Sequence, residues 1–308
     1  MTTTAVPRNS TIVRNHRLLA LRARFALGSW LHPRATLHRA YELFCTPLAS
    51  SRERAVAAAD EGARMSDFAY GSERLALYTW GDPSREPYVL FAHGWSSHAL
   101  RIVPWIAALR ASGHAVVAFD QVGHGRSSGR RSNLPDFANA LGAVARRHGE
   151  AAAIVGHSLG GAATMLALSQ GVAAQRAILV APAADPHAAA SRFARFVGLA
   201  EHLGARLFEE YEATHAPRAA ELQAHLHAPH IARPALIVHD LGDREVPWAE
   251  GERYARHWHG ARLLTTTGLG HHRILDAPEV IDGSLRFLRG DTVGERVVSS
   301  PNLPYGFA

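Results

Sequence analysis

The chain changes period as it is read. From Asn15 to about Ala59, apolar residues return every three or four positions, at Leu18, Leu21 and Phe25 and then at Leu37, Tyr41 and Phe44. Arginines lie between them, and Pro33 and Pro47 break the run. That spacing predicts amphipathic helices packed on a core. Residues 66–80 have strand character instead and end at Gly81-Asp82-Pro83, which predicts a hairpin. Short apolar runs follow at Tyr88–Ala92, Ala115–Asp120, Ala152–Val155, Ala177–Ala181, Ala235–His239 and Arg262–Thr266. Helical spacing fills the intervals near Val103–Ser112, Asp136–His148, Gly161–Gly171, Trp248–Trp258 and Pro278–Leu288. Strands that are apolar throughout are buried on both faces, so the alternation predicts an α/β fold with a doubly wound, mostly parallel sheet.

One interval breaks the rhythm. Between the runs ending at Ala181 and beginning near Pro234 lie about fifty residues with helical spacing at Phe193, Phe196, Leu199, Leu203, Leu207 and Tyr211. An insertion at the carboxyl ends of parallel strands sits where such sheets bind ligands, so it is expected to form a small helical cap. Phe193, Phe196 and Tyr211 are then candidates to touch substrate, against the plainer expectation that they pack the insertion down. The expected organisation is an N-terminal helical extension over 1–65, a core over 66–181 and 234–289, the cap over 182–233, and a tail over 290–308.

Composition narrows the class. With 308 residues, 47% hydrophobic and 19% charged, the chain is long enough for one large folded core. The formal net charge is +6 and every basic side chain other than histidine is arginine. Those arginines are scattered, with no basic run interleaved with aromatics, so nucleic acid is not expected as a partner. Cys45 is the lone cysteine, which excludes an intrachain disulfide and any cysteine-rich metal site and suggests a reducing, cytoplasmic setting. Arg22 and Arg24 interrupt the early apolar stretch, so it does not read as a secretory signal. No apolar run approaches the roughly 20 residues that a membrane span needs. Peripheral contact through the arginine-rich N-terminal helices is the alternative to their packing on the core.

The chemistry begins at Ala152–Ala163, where an apolar run enters Gly156-His157-Ser158-Leu159-Gly160 and a small-residue helix leaves it. In that setting the Gly-x-Ser-x-Gly pattern predicts a sharp strand-to-helix turn that presents a serine hydroxyl. Gly156 and Gly160 let strand and helix approach, and the helix start offers free N–H groups for a developing oxyanion. A serine nucleophile needs a histidine base and an acid to orient it. Two loops after predicted strands offer them: His239-Asp240-Leu241-Gly242-Asp243-Arg244-Glu245-Val246-Pro247, and Gly268-Leu269-Gly270-His271-His272. Asp240 and Asp243 compete as the acid, and His271 and His272 as the base. His225, His227 and His230 superficially suggest metal ligands, but no paired carboxylate accompanies them, and neither a metal nor a cofactor is expected.

Five segments in order make the chain resemble the α/β-hydrolase superfamily over roughly residues 66–289, in particular its esterase, lipase and serine-aminopeptidase-like members. They are His93-Gly94-Trp95, Asp120-Gln121-Val122-Gly123-His124-Gly125-Arg126-Ser127, the serine turn, Asp243-x-x-Val246-Pro247, and Gly270-His271. The resemblance implies Ser158 as nucleophile, Asp243 as acid and His271 as base, with the backbone N–H groups of Trp95 and Leu159 as the oxyanion hole. It makes His157 and His124 structural neighbours. The Trp95 side chain is either a pocket wall or core. The activity it implies is cofactor-independent hydrolysis of small or medium carboxylic esters. An amidase, peptidase, thioesterase, lactonase or acyltransferase would use the same residues, and from another class a small-molecule receptor on this fold is the rival.

Overall fold

In the computed structural model the apolar runs become one eight-stranded sheet. The structure describes residues 8–212 and 217–297. Helices α1 (Arg8–Leu31), α2 (Pro33–Phe44) and α3 (Ala49–Ala57) precede the hairpin β1 (Arg64–Tyr70) and β2 (Glu73–Trp80). Then come β3 (Tyr88–Ala92), α4 (Val103–Ala111), β4 (Ala115–Phe119), α5 (Leu134–His148), β5 (Ala153–His157), α6 (Leu159–Ser169) and β6 (Ala177–Val180). The insertion holds α7 (Pro186–Val197), α8 (Glu201–Gly204), α9 (Glu209–Glu212) and α10 (Ala224–His227). The chain continues with β7 (Ala235–Asp240), α11 (Trp248–His257), β8 (Ala261–Thr266), α12 (Gly270–Arg273) and α13 (Pro278–Leu288).

The sheet order is β1-β2-β4-β3-β5-β6-β7-β8, with β1, β2 and β4 paired antiparallel and every pairing from β4 to β8 parallel. This is the doubly wound, mostly parallel α/β sheet that the alternation predicts. Successive strand residues point to opposite faces. Leu90 and Ala92 therefore join one buried layer with Phe137, Leu141 and Leu166, while Val89 and Phe91 join the other with Trp105, Ile106 and Val280. Local chemistry ends the helices where the sequence changes. At α5 the Asn133 side chain accepts the Asp136 N–H at 2.9 Å, and the Asp136 carboxylate accepts the Asn133 N–H at 3.1 Å.

The chain divides into two compact units. One joins the described residues up to Cys45 with those from Asp185 to Glu221. Its own core gathers Phe25, Leu37 and Ala40 with Ala190, Ala194, Val197, Leu203 and Leu207. The other unit runs from Thr46 to Ala184 and resumes at Leu222, and it contains the sheet. Helix α3 belongs to this second unit. Among the described residues no helix is long and apolar enough to cross a membrane.

Candidate functional site

The serine turn lies between β5 and α6 at the carboxyl edge of the sheet. Ser158 has φ 55° and ψ −120°, a backbone conformation that a non-glycine residue rarely adopts. Ordinary contacts hold it there. The Ser158 N–H donates to the Val180 carbonyl at 2.9 Å, and the Ser158 carbonyl accepts the Gly161 N–H at 2.9 Å. Glycine at 160 is required because a Cβ there would lie 2.1 Å from the Ala92 carbonyl oxygen. That close approach brings α6 down onto the end of β3.

Three side chains from three loops form one chain of hydrogen bonds. His271 Nε2 is 2.9 Å from Ser158 Oγ, and His271 Nδ1 is 2.7 Å from Asp243 Oδ2. Burial favours the neutral acid at Asp243, but hydrogen bonds from His239, His271 and the Val246 amide outweigh it. The carboxyl is held well below the usual carboxylate range. It is therefore ionised at neutral pH and only accepts hydrogen bonds, so Nδ1 of His271 carries a proton and donates it, while Nε2 faces the serine hydroxyl. The other oxygen, Oδ1, accepts the Glu245 and Val246 N–H groups, both at 2.9 Å.

The competing residues have other duties. Buried Asp240 accepts the Gly242 N–H at 2.9 Å, the Thr266 hydroxyl at 2.9 Å and the Leu269 N–H at 3.0 Å. It thereby ties the end of β7 to the loop that carries His271. His272 is exposed and pairs with Glu245 at 2.8 Å, which raises the imidazole pKa. His157 is buried, and its Nε2–H donates to the His271 carbonyl at 2.9 Å, anchoring that loop to the serine turn. Desolvation holds its pKa well below the ordinary value, so it stays neutral.

The loop after β3 completes the surroundings. His93 is wholly buried, accepts the Gln121 N–H on Nε2 at 3.0 Å and donates from Nδ1 to the Gly94 carbonyl at 2.7 Å. Burial pushes its pKa down to about 3, which keeps the ring neutral and this pattern intact. In a trans peptide the N–H points opposite to the C=O. Pinning the Gly94 carbonyl to His93 thus turns the Trp95 N–H the other way. The same loop passes so near Ser158 that a Cβ on Gly94 would lie 3.0 Å from Ser158 Cβ. Leu159 opens α6, where an N–H has no partner within the helix. The Trp95 ring is half-buried against His124 and Phe137, at centroid distances of 5.0 and 6.1 Å. His124 bridges loops, donating to the Val122 carbonyl and accepting the Ser96 N–H at 3.1 Å.

Within its own unit, Phe193 is half-buried edge-on to Phe44 at 5.2 Å, while Phe196 is exposed. The side chain of Tyr211 lies outside the described residues, as does the tail from residue 298. His227 contacts the Ser169 hydroxyl at 3.1 Å and the His225 ring lies 5.8 Å from that of His257. Among the described residues no group of His, Cys, Asp or Glu side chains is placed to share a metal ion.

Two residues at the site carry no sequence signal. His239 is wholly buried, donates from Nε2 to the Val246 carbonyl at 2.9 Å and lies 3.4 Å from Asp243 Oδ2. Arg52 on α3 donates to the carbonyls of Gly125, Ser127 and Gly129 in the loop after β4, at 3.1, 2.8 and 2.8 Å. His239 stands four residues before Asp243 in the quoted loop without a motif to mark its role, whereas only the fold brings Arg52 near.

Comparison with known proteins agrees with this architecture. The sequence model of the serine aminopeptidase S33 family matches residues 83–230. Solved structures of α/β-hydrolase fold proteins superpose over most of the chain. The chain has the α/β-hydrolase fold. A monoacylglycerol lipase of Mycolicibacterium smegmatis is 37% identical over 101 residues, 30% of this chain. That alignment spans 36% of the lipase, so the chain matches about a third of this relative's length. The mouse α/β-hydrolase domain-containing protein 10 is 17% identical, with TM-score 0.58 over 74% of this chain and 98% of its own. The thioesterase domain from the curacin biosynthetic pathway gives TM-score 0.56 at 18% identity, over 74% of this chain and 99% of its own. A bacterial membrane phospholipase A is 16% identical with TM-score 0.59, and covers 92% of this chain and 98% of its own.

Proposed function

We propose that this protein of α/β-hydrolase fold is a serine hydrolase that cleaves carboxylic esters of small to medium substrates through an acyl-enzyme. The observation that carries the reading is the continuous relay from Asp243 through His271 to Ser158, at 2.7 and 2.9 Å. As Ser158 Oγ attacks the ester carbonyl carbon, its proton passes to His271 Nε2, and Asp243 stabilises the imidazolium without taking the proton. The negative charge on the former carbonyl oxygen is met by the N–H groups of Trp95 and Leu159. Collapse breaks the bond to the alcohol, which takes the proton from His271. A water then gives its proton to the same nitrogen, attacks the acyl carbon and releases the acid, and Ser158 recovers its hydrogen.

The lipase relative favours oxygen esters as substrates. Replacing Ser158 with alanine is expected to lower turnover of a short-chain p-nitrophenyl ester by roughly a millionfold, in effect abolishing it, and to abolish labelling by a fluorophosphonate probe. Turnover that persists undiminished in the alanine variant would overturn the assignment. A panel of esters, thioesters and amides matched in acyl length tests the leaving group.

A further inference from the structure

A helix needs one apolar face to join a core, and α1 has two. Leu21 and Phe25 turn into the small core shared with α2 and α7. Leu19, Ala23, Leu27 and Trp30 recur at spacings of four, four and three, which in a helix of 3.6 residues per turn forms a separate stripe. Leu19 and Leu27 are each 62% exposed, Trp30 76% and Leu31 61%. Single exposed apolar residues are ordinary, but four large ones along one helix mark a contact surface.

Charge decides what the surface fits. The helix contains Arg8, Arg14, Arg17, Arg22 and Arg24 and no acidic residue. Arg17, Arg22 and Arg24 are exposed, and so is Arg34 just beyond, at the start of α2. A second copy docking through this face would set one row of arginines against another, an arrangement that costs affinity. The boundary of an anionic bilayer offers both things the helix lacks: an acyl layer for leucine and tryptophan, and phosphate charge for arginine. The arginines recur too often for the helix to cross the bilayer, so it would lie in the plane of the headgroups.

We propose that α1 is an interfacial helix that docks the protein on an anionic lipid surface. Leu19, Leu27, Trp30 and Leu31 enter the acyl boundary, and Arg17, Arg22 and Arg24 lie among the headgroups. The inference does not rest on the chemistry assigned to Ser158, and its test reads binding.

The full chain should sediment with vesicles of phosphatidylcholine containing one-third phosphatidylglycerol and much less with phosphatidylcholine alone. Raising the salt to about 0.5 M should weaken binding several-fold, because the Debye length falls well below 10 Å. The double variant Leu27→Glu, Trp30→Glu should partition about tenfold more weakly or worse, with little change in melting temperature, because both side chains are largely exposed and Trp30 gives up only a tilted ring contact with His202 at 5.5 Å. Arg17→Glu with Arg22→Glu should remove most of the salt-dependent part. The proposal fails if the chain ignores anionic vesicles, if the double variant binds as the parent does, or if Leu27→Glu, Trp30→Glu instead dissolves a dimer seen by sedimentation in lipid-free solution.

Discussion

At Gly94 the site has no spare room. In the proposed mechanism the peptide that follows faces Ser158, and the approach is so close that a methyl group at 94 would sit 3.0 Å from Ser158 Cβ and 3.2 Å from His157 Nδ1. Gly94→Ala is therefore expected to push the Trp95 amide away from the oxyanion position. A displacement of about an ångström in such a site costs roughly a hundredfold in rate. The prediction is a loss of that order in kcat, with fluorophosphonate labelling slowed in parallel and a small change in melting temperature. An unchanged kcat would remove the Trp95 amide from the mechanism. The serine turn was legible at this scale because Gly-x-Ser-x-Gly advertises its own geometry, whereas Asp243 stood out from Asp240 only by family resemblance. His239 was not, since a histidine at the end of an apolar strand looks the same whether it supports an acid or merely fills space.

Among the elements, α3 has a job that its sequence conceals. Its spacing reads as part of a helical extension, yet its Arg52 holds three carbonyls of the loop after β4. Its neighbour Arg54 donates to the Ser96 carbonyl at 2.9 Å, and the Leu48 N–H donates to the Ser96 hydroxyl at 2.9 Å. Two loops beside Ser158 are thus strapped by one short helix. Arg52→Ala leaves carbonyls without donors, a loss of about 1–3 kcal/mol. Lysine should not restore it, because a point charge cannot reproduce the planar fork. Thermal melts of the alanine and lysine variants are expected to fall together, and a lysine variant as stable as the parent would contradict the strap. Elsewhere the elements follow the periodicity closely. The helix expected at Pro278–Leu288 and the strand expected at Tyr88–Ala92 have those bounds in the structure. Each has one strongly patterned face, or none that is polar, so local sequence suffices. The grouping of α1 and α2 with residues 185–221 had no such local mark.

The whole molecule carries a pH dependence set by buried imidazoles. His93 and His124 are each pushed down to about 3, in both cases chiefly by desolvation, and His157 lies well below its ordinary value for the same reason. In the unfolded chain each would titrate near 6.5. Their folded values are depressed, so the unfolded chain binds more protons between about pH 6.5 and 3. Stability is full above that window and falls as the pH drops through it, by about 1.4 kcal/mol per pH unit for each histidine. Asp243 adds loss in the same direction only below about pH 4, where the unfolded carboxylate protonates. Melting temperature is therefore expected to fall steeply from pH 6.5 to 4.5, well before the carboxylates titrate. A flat profile over that range would mean that these rings reach solvent.

Much of this protein is determined by short-range sequence. Runs of apolar residues with turn chemistry at their ends set the strands and helices, and the loops after β5, β7 and β8 carry the serine, the acids and the histidines in a fixed order. Which of those groups meet was decided only in three dimensions. Asp243 faces His271 while Asp240, three residues earlier and of identical chemistry, is spent on Gly242, Thr266 and Leu269. That choice depends on the register of β7 against β8 and on where α6 settles against the end of β3. Those are sums over many packed side chains distant in sequence, and no local pattern records them.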